Sequence, residues 1–187
     1  MLYWGIFWLF FALDAFSKAE ILALLRAARD HSALDWLMLC VTFTHGLRVS
    51  ETLSLTADNV VGEYLVVSRL KGSLRTKQPL FTNLDPLLDE RAPLLLLASK
   101  AKKGVCLFSM SRKTFWRRMQ RYGKAAGLAA ARCHPHALKH SILSQMIAGA
   151  TIDVVRDWAG HKSMASTGRY LNPSAEKVAA AARRTLE

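Results

Sequence analysis

One stretch of the chain departs from helical spacing. Residues 60–81, "VVGEYLVVSRLKGSLRTKQPLF", are rich in Val, Leu and Tyr and are broken by Gly62 and by Lys71-Gly72-Ser73. That is the pattern of short strands joined by tight turns. On both sides of it, apolar residues recur at three- and four-residue intervals, the period of helices packed by one face. One small patch of strands between two helical stretches predicts a mainly α domain with a small antiparallel β-sheet of two or three strands (α+β). Lys71 and Gly72 fall at or beside a hairpin turn.

Capping signals mark where the helices begin. "SKAE" (17–20) is a capping box in front of Ile21, Leu22, Leu24 and Leu25, so a helix is expected over residues 18–28. Ser32 with Asp35 repeats the signal for a helix ending near Gly46, and residues 50–55 read as a short helix stopped by "TADN". Further helices are expected over 84–98, with Pro86 near its start and Pro93 in its middle, and over 112–125, 135–148, 152–158 and 175–185. No internal repeat or long linker interrupts them. The division expected is an apolar segment over residues 1–16 and a single domain over 17–187, with a helical tail over about 173–187. The thirteen apolar residues "MLYWGIFWLFFAL" are too few for a bilayer, which takes about 20. They also lack the basic start of a secretory signal. They are expected to pack on the domain, or to be an upstream stretch read from a wrong start codon, and no membrane partner is expected.

Charge narrows the class of partner. The chain carries 26 Lys and Arg against 14 Asp and Glu, a net charge of +12. Residues 69–124 hold fourteen of those cations and three of the anions, a net of +11 (14 − 3). Phe115, Trp116 and Tyr122 lie among them. Such a surplus points to a polyanionic partner, nucleic acid or an anionic membrane surface, and its clustering favours a surface that tracks phosphates by releasing condensed counterions. Arg69, Arg75, Lys77, Arg112, Lys113, Arg117, Arg118 and Arg121 are the expected phosphate contacts, which become contacts to double-stranded DNA if the family resemblance described below holds. Cys40, Cys106 and Cys133 are odd in number and widely spaced, as fits a reducing, cytoplasmic setting.

"HPHALKHS" (134–141) packs three histidines and a lysine into eight residues. His136 and His140 have a spacing that serves metals, with Cys133 and His134 nearby, but no second cluster completes a four-ligand site. No metal and no other cofactor is expected. The other basic residues make a different set. Arg48 follows a helix end in "THGLRVSE", Lys71 sits at the hairpin, His136 and Lys139 share a helix face, His161 follows a Gly in "AGHKS", and Tyr170 comes nine residues later. Fixed cations stabilise the charge that grows on a phosphodiester under attack. A tyrosine can attack phosphorus and hold the DNA end as an ester, and Lys or His can protonate the leaving oxygen. None of these steps requires metal or ATP.

The order "GLRVSE … KG … HALKH … AGH … Y" resembles the catalytic domain of the tyrosine recombinases, the phage integrase family, from about Ser17 onward. The resemblance implies site-specific DNA strand exchange of the integrase or invertase type through a 3′-phosphotyrosyl intermediate. Tyr170 would be the nucleophile, Arg48 and Lys139 phosphate ligands, Lys71 the general acid, and His136 and His161 the remaining catalytic groups. It implies a homo-tetramer on paired DNA sites linked by the C-terminal tail, a monomer when free, and a bacterial, phage or mobile-element origin. Two features depart from the family. Lys139 stands where the second arginine is expected and lacks its bidentate fork. The chain also resembles a short form without the N-terminal core-binding domain. A weakened or inactive DNA-binding remnant, or a type IB topoisomerase-like enzyme, are the alternatives; His136 in place of that family's lysine argues against the second.

Overall fold

The computed structural model describes residues 15–70 and 73–168. Helix α1 (Lys18–His31) starts at the Ser17 capping box, whose hydroxyl and Glu20 carboxylate each accept the other's backbone N–H. Its buried residues, Ile21, Leu24, Leu25 and Ala28, follow the i, i+3, i+4, i+7 rule of a one-faced helix. Helix α2 (Ala33–Thr44) is capped by Ser32 and is buried on all sides from Asp35 to Thr44, which makes it the central helix of the core. Gly46 then turns the chain with a positive φ into the short helix α3 (Val49–Leu53).

The sheet has three antiparallel strands in the order β1-β2-β3: Val60–Val61, Tyr64–Val67 and Thr76–Pro79. Val67 opposite Thr76 closes the β2–β3 ladder. Leu65, Val66 and Val67 continue the apolar core, whereas β3 turns polar Thr76 and Gln78 inward and leaves Lys77 and Pro79 outside. The expected hairpin is therefore present, and its Lys71 and Gly72 lie outside the described residues.

Helix α4 (Arg91–Lys100) begins seven residues later than the expected start at 84. Asx-type bonds hold the intervening chain: Asn83 Oδ1 accepts from the Asp85 N–H and Asp85 Oδ1 from the Leu87 N–H. The Trp36 indole donates to the Leu87 carbonyl at 2.9 Å, and Glu90 is buried against α2. Pro93 falls in the first turn, where its missing N–H leaves no bond unmade. Helix α5 (Arg112–Ala125) has the expected limits, burying Phe115, Met119, Tyr122 and Gly123. Helices α6 (Pro135–Ile147), α7 (Ile152–Ala159) and the short α8 (Met164–Gly168) complete the fold. The expected helix over 175–185 lies outside the described residues, as does most of the 1–16 segment. No helix among the described residues is long and apolar enough to cross a membrane.

Candidate active site

Four segments distant in sequence meet around one buried carboxylate, Glu51. It sits in the first turn of α3, whose N-cap is Arg48. The Arg48 backbone N–H donates to Glu51 Oε2 and its Nη1 to Oε1, both at 2.7 Å, while the Leu70 N–H reaches Oε1 at 3.0 Å. Arg69 Nη1 adds a fourth bond at 3.3 Å. Burial pushes the Glu51 carboxyl up, but the backbone N–H groups of Arg48 and Leu70 and the charges of Arg69 and Lys139 outweigh it and hold it below its ordinary value. Glu51 stays ionised and fixes Arg48, whose side chain remains about one-fifth exposed.

Arg69 is the second fixed point. Its Nε donates to Thr76 Oγ1 and its Nη1 to the Gly46 carbonyl. Its Nη2 reaches the His45 and Trp158 carbonyls and Gln78 Oε1, over 2.9–3.2 Å in all. At 5% exposure it is a buried strut, so the expectation that it contacts DNA is corrected. The same guanidinium ties the end of α2, the root of the hairpin and the end of α7 together.

The α7 end carries the Gly-His turn. Gly160 caps α7 in the left-handed region (φ 67°), and the Leu74 N–H donates to its carbonyl at 2.8 Å. A Cβ at Gly160 would stand 2.8 Å from both Arg69 Cγ and the Leu74 carbonyl oxygen, so no larger residue fits. His161 follows, buried, with Nδ1 3.0 Å from the buried Thr167 hydroxyl on α8. Behind this turn the Trp158 ring stacks on His45 (centroids 6.3 Å apart), and His45 pairs with buried Glu90 at 2.7 Å.

Lys139 enters from α6 and is 5% exposed, and its Nζ has no hydrogen-bond partner. Burial first and then the charge of Arg69 lower its pKa to about 7; Glu51 pulls the other way, and Arg48 adds a smaller lowering. Arg48 and Lys139 thus act on the Glu51–Arg69 pair, and the turn that carries His161 packs on Arg69 through the Trp158 carbonyl and Gly160. His136 lies on the exposed side of α6, its ring 6.5 Å from that of His140. Lys71 and Tyr170 lie outside the described residues, although the described chain ends only two residues before the tyrosine. No group of three or more His, Cys, Asp or Glu side chains able to hold a metal occurs among the described residues.

The remaining expected DNA contacts divide by exposure. Arg75, Lys77, Arg112, Lys113 and Arg117 are exposed, and Trp116 stands out between the last two at 48% exposure. Arg118 is drawn into an ion pair with buried Asp35, and Arg121 bonds His31 at 3.2 Å. Sequence reasoning missed Glu51 and Thr167. A carboxylate three residues beyond Arg48 was a visible capping signal. The hydroxyl six residues beyond His161 had no such mark.

Comparison with known proteins bears on family and fold. The model of the phage integrase family matches residues 15–177. The chain is 30% identical to the tyrosine recombinase XerD of Vibrio cholerae over 177 residues, covering 87% of this chain and 58% of that protein. It is 29% identical to XerA of Pyrococcus furiosus, covering 90% and 60%. It thus spans less than two thirds of the length of either relative. Among solved structures, the XerH recombinase bound to its difH substrate superposes with a TM-score of 0.69 at 16% identity, over 90% of this chain and 53% of that one. The catalytic domain of bacteriophage HP1 integrase superposes with a TM-score of 0.63 at 22% identity, over 90% and 93%. The chain belongs to the phage integrase family, and its fold is that of a tyrosine recombinase catalytic domain.

Proposed function

We propose that residues 17–187 form the catalytic domain of a site-specific DNA recombinase. In this reading the Tyr170 oxygen bonds to phosphorus as its phenolic proton passes to a base of the site, the bond from phosphorus to the 5′ oxygen breaks, and that oxygen leaves with a proton donated from the Lys71 hairpin. Rejoining reverses the step, so neither ATP nor a metal is consumed. The observation that carries the reading is the buried, unpartnered Lys139 ammonium beside Arg48, with His161 anchored nearby: an unfilled anion position within a cationic site. An oxyanion there would receive charge and hydrogen bonds from groups already held in place, which is how such sites lower a barrier. His136 belongs at its exposed margin. Arg75, Lys77, Arg112, Lys113 and Arg117 would follow the flanking DNA backbone.

A nicked suicide duplex tests the reading. The chain should accumulate a covalent protein–DNA adduct resistant to denaturant, and Tyr170→Phe should bind the duplex while losing the adduct. An adduct that survives the substitution sinks the assignment of the nucleophile. Binding without any adduct from the parent chain would instead favour the inactive, DNA-binding reading. The tail after Asn172 would dock on a neighbouring protomer and close a ring on paired sites. Deleting it should leave single-site gel shifts nearly unchanged and remove the paired-site complex; an undiminished paired complex refutes the docking.

A further inference from the structure

Among the described residues of the site, the Lys139 ammonium nitrogen is the polar side-chain atom that is both buried and without a hydrogen-bond partner. Buried polar groups are ordinarily bonded, so an orphan of this kind marks a position completed by something that binds. The charged groups acting on it come from other elements: Arg48 and Glu51 from α3, and Arg69 from beyond β2. His136 and His140 share its helix, and His161 heads the turn after α7, which packs on α6. The ionisable residue at the end of α2, His45, is turned to Gln78 and Glu90. Helix α5 meets the approach to α6 through uncharged Gln120, whose amide donates to the Cys133 carbonyl at 2.7 Å.

Two guanidinium groups therefore face one carboxylate, and a third cation is opposed until an anion arrives. We propose that this site takes up its phosphodiester together with a proton, Lys139 shedding its charge at the empty site and regaining it as the anion binds. The proposal rests on the reading of the site as one that binds a phosphodiester. The balance is set by burial and by Arg69 and Arg48, which place the lysine near pH 7 when no anion is bound. A bound oxyanion supplies the missing partner and reverses that balance. Anion affinity should then fall about tenfold per pH unit above the free value, through this one proton. An arginine at this position would not titrate. The linkage is thus a property of the lysine itself.

The test follows the Lys139 side chain by NMR in protein labelled at lysine Cε, the resonance being assigned by its disappearance in Lys139→Arg. Titrations in sodium chloride and in sodium sulfate at equal ionic strength give its pKa in the empty and anion-filled site. Sulfate keeps a constant charge across the range. A midpoint near 7 in chloride that moves up by one or more pH units in sulfate supports the proposal. A midpoint above 9 in chloride, or no movement in sulfate, overturns it. The suicide duplex separates the two readings. An adduct at Tyr170 with an unmoved lysine overturns the proton linkage and leaves the recombinase reading intact. A moving lysine without an adduct supports the proton-linked anion site while removing the recombinase reading.

Discussion

The Lys139 side chain reaches a place that water does not, and its charge there is opposed by burial and by two guanidinium groups. In the unfolded chain the same lysine is protonated up to its ordinary value of 10.5. Between pH 7 and 10.5 the unfolded state therefore binds more protons, and this group's destabilising effect fades as pH rises through that window. Below pH 7 both states are protonated and the effect is complete. At about 1.4 kcal/mol per tenfold change, the fall from 10.5 to about 7 sets a ceiling of roughly 5 kcal/mol. Methionine of similar length removes the charge but also forfeits the attraction of Glu51. Lys139→Met should therefore stabilise the fold at pH 6 by about 1–3 kcal/mol, with the gain vanishing near pH 10. Urea unfolding of variant and parent at the two pH values checks this. A loss of stability at pH 6 would show that the ammonium has a compensating partner.

At the scale of elements, the turn between α7 and α8 joins the hairpin to the Gly-His segment. Gly160 holds a left-handed φ, receives the Leu74 N–H at its carbonyl, and lies against Arg69. Gly160→Ala adds a methyl 2.8 Å from a backbone oxygen and strains φ as well. It should lower stability by about 2–4 kcal/mol and reduce adduct formation beyond what the loss of folded protein explains, as comparison of melting curves with adduct yield would reveal. Equal adduct per folded molecule would mean that the turn does not orient His161. Which elements were legible in the sequence follows from whether their signals were local. Ser17 and Ser32 announced α1 and α2, and the apolar spacing of α5 fixed both its ends. The delayed start of α4 was hidden, because Glu90 and Leu87 are held by Thr44, His45 and Trp36, which lie 45 to 51 residues earlier. Arg69 misled for the same reason: in a basic stretch it looks like its neighbours, and only the carbonyls of distant chain segments make it a strut.

Across the whole molecule, the beginning and the later half of the described chain are fastened together near the site. Arg132 pairs with Glu20 at 2.6 Å, donates to the Ala15 carbonyl and lies over the Phe16 ring. The Phe16 N–H donates to the Ser141 hydroxyl on α6 at 2.7 Å. The hydrogen bond from Arg132 holds Glu20 down at about 2, so the Arg132–Glu20 fastening persists at ordinary pH and weakens only as pH falls below about 4.5 toward 2. The motif residues were readable one by one as boxes in order, whereas their convergence depends on fastenings such as this, between residues more than a hundred positions apart.

Arg69 bears on the order in which the molecule comes together. Its partners lie 18 residues away at Glu51, 24 at His45 and 89 at Trp158. A bond spanning 18 residues closes a small loop, but one spanning 89 waits until most of the chain is already compact, since closing long loops early sacrifices entropy before contacts compensate for it. The carbonyl of Trp158 is therefore among the last things the guanidinium acquires, and with it the turn that presents His161. A partly folded chain has Arg48 and Glu51 but no seated histidine. On the proposed recombinase reading, competence would arrive late and all at once, so that a nascent or half-opened molecule would have an incomplete site and no means to break a strand that it could not reseal.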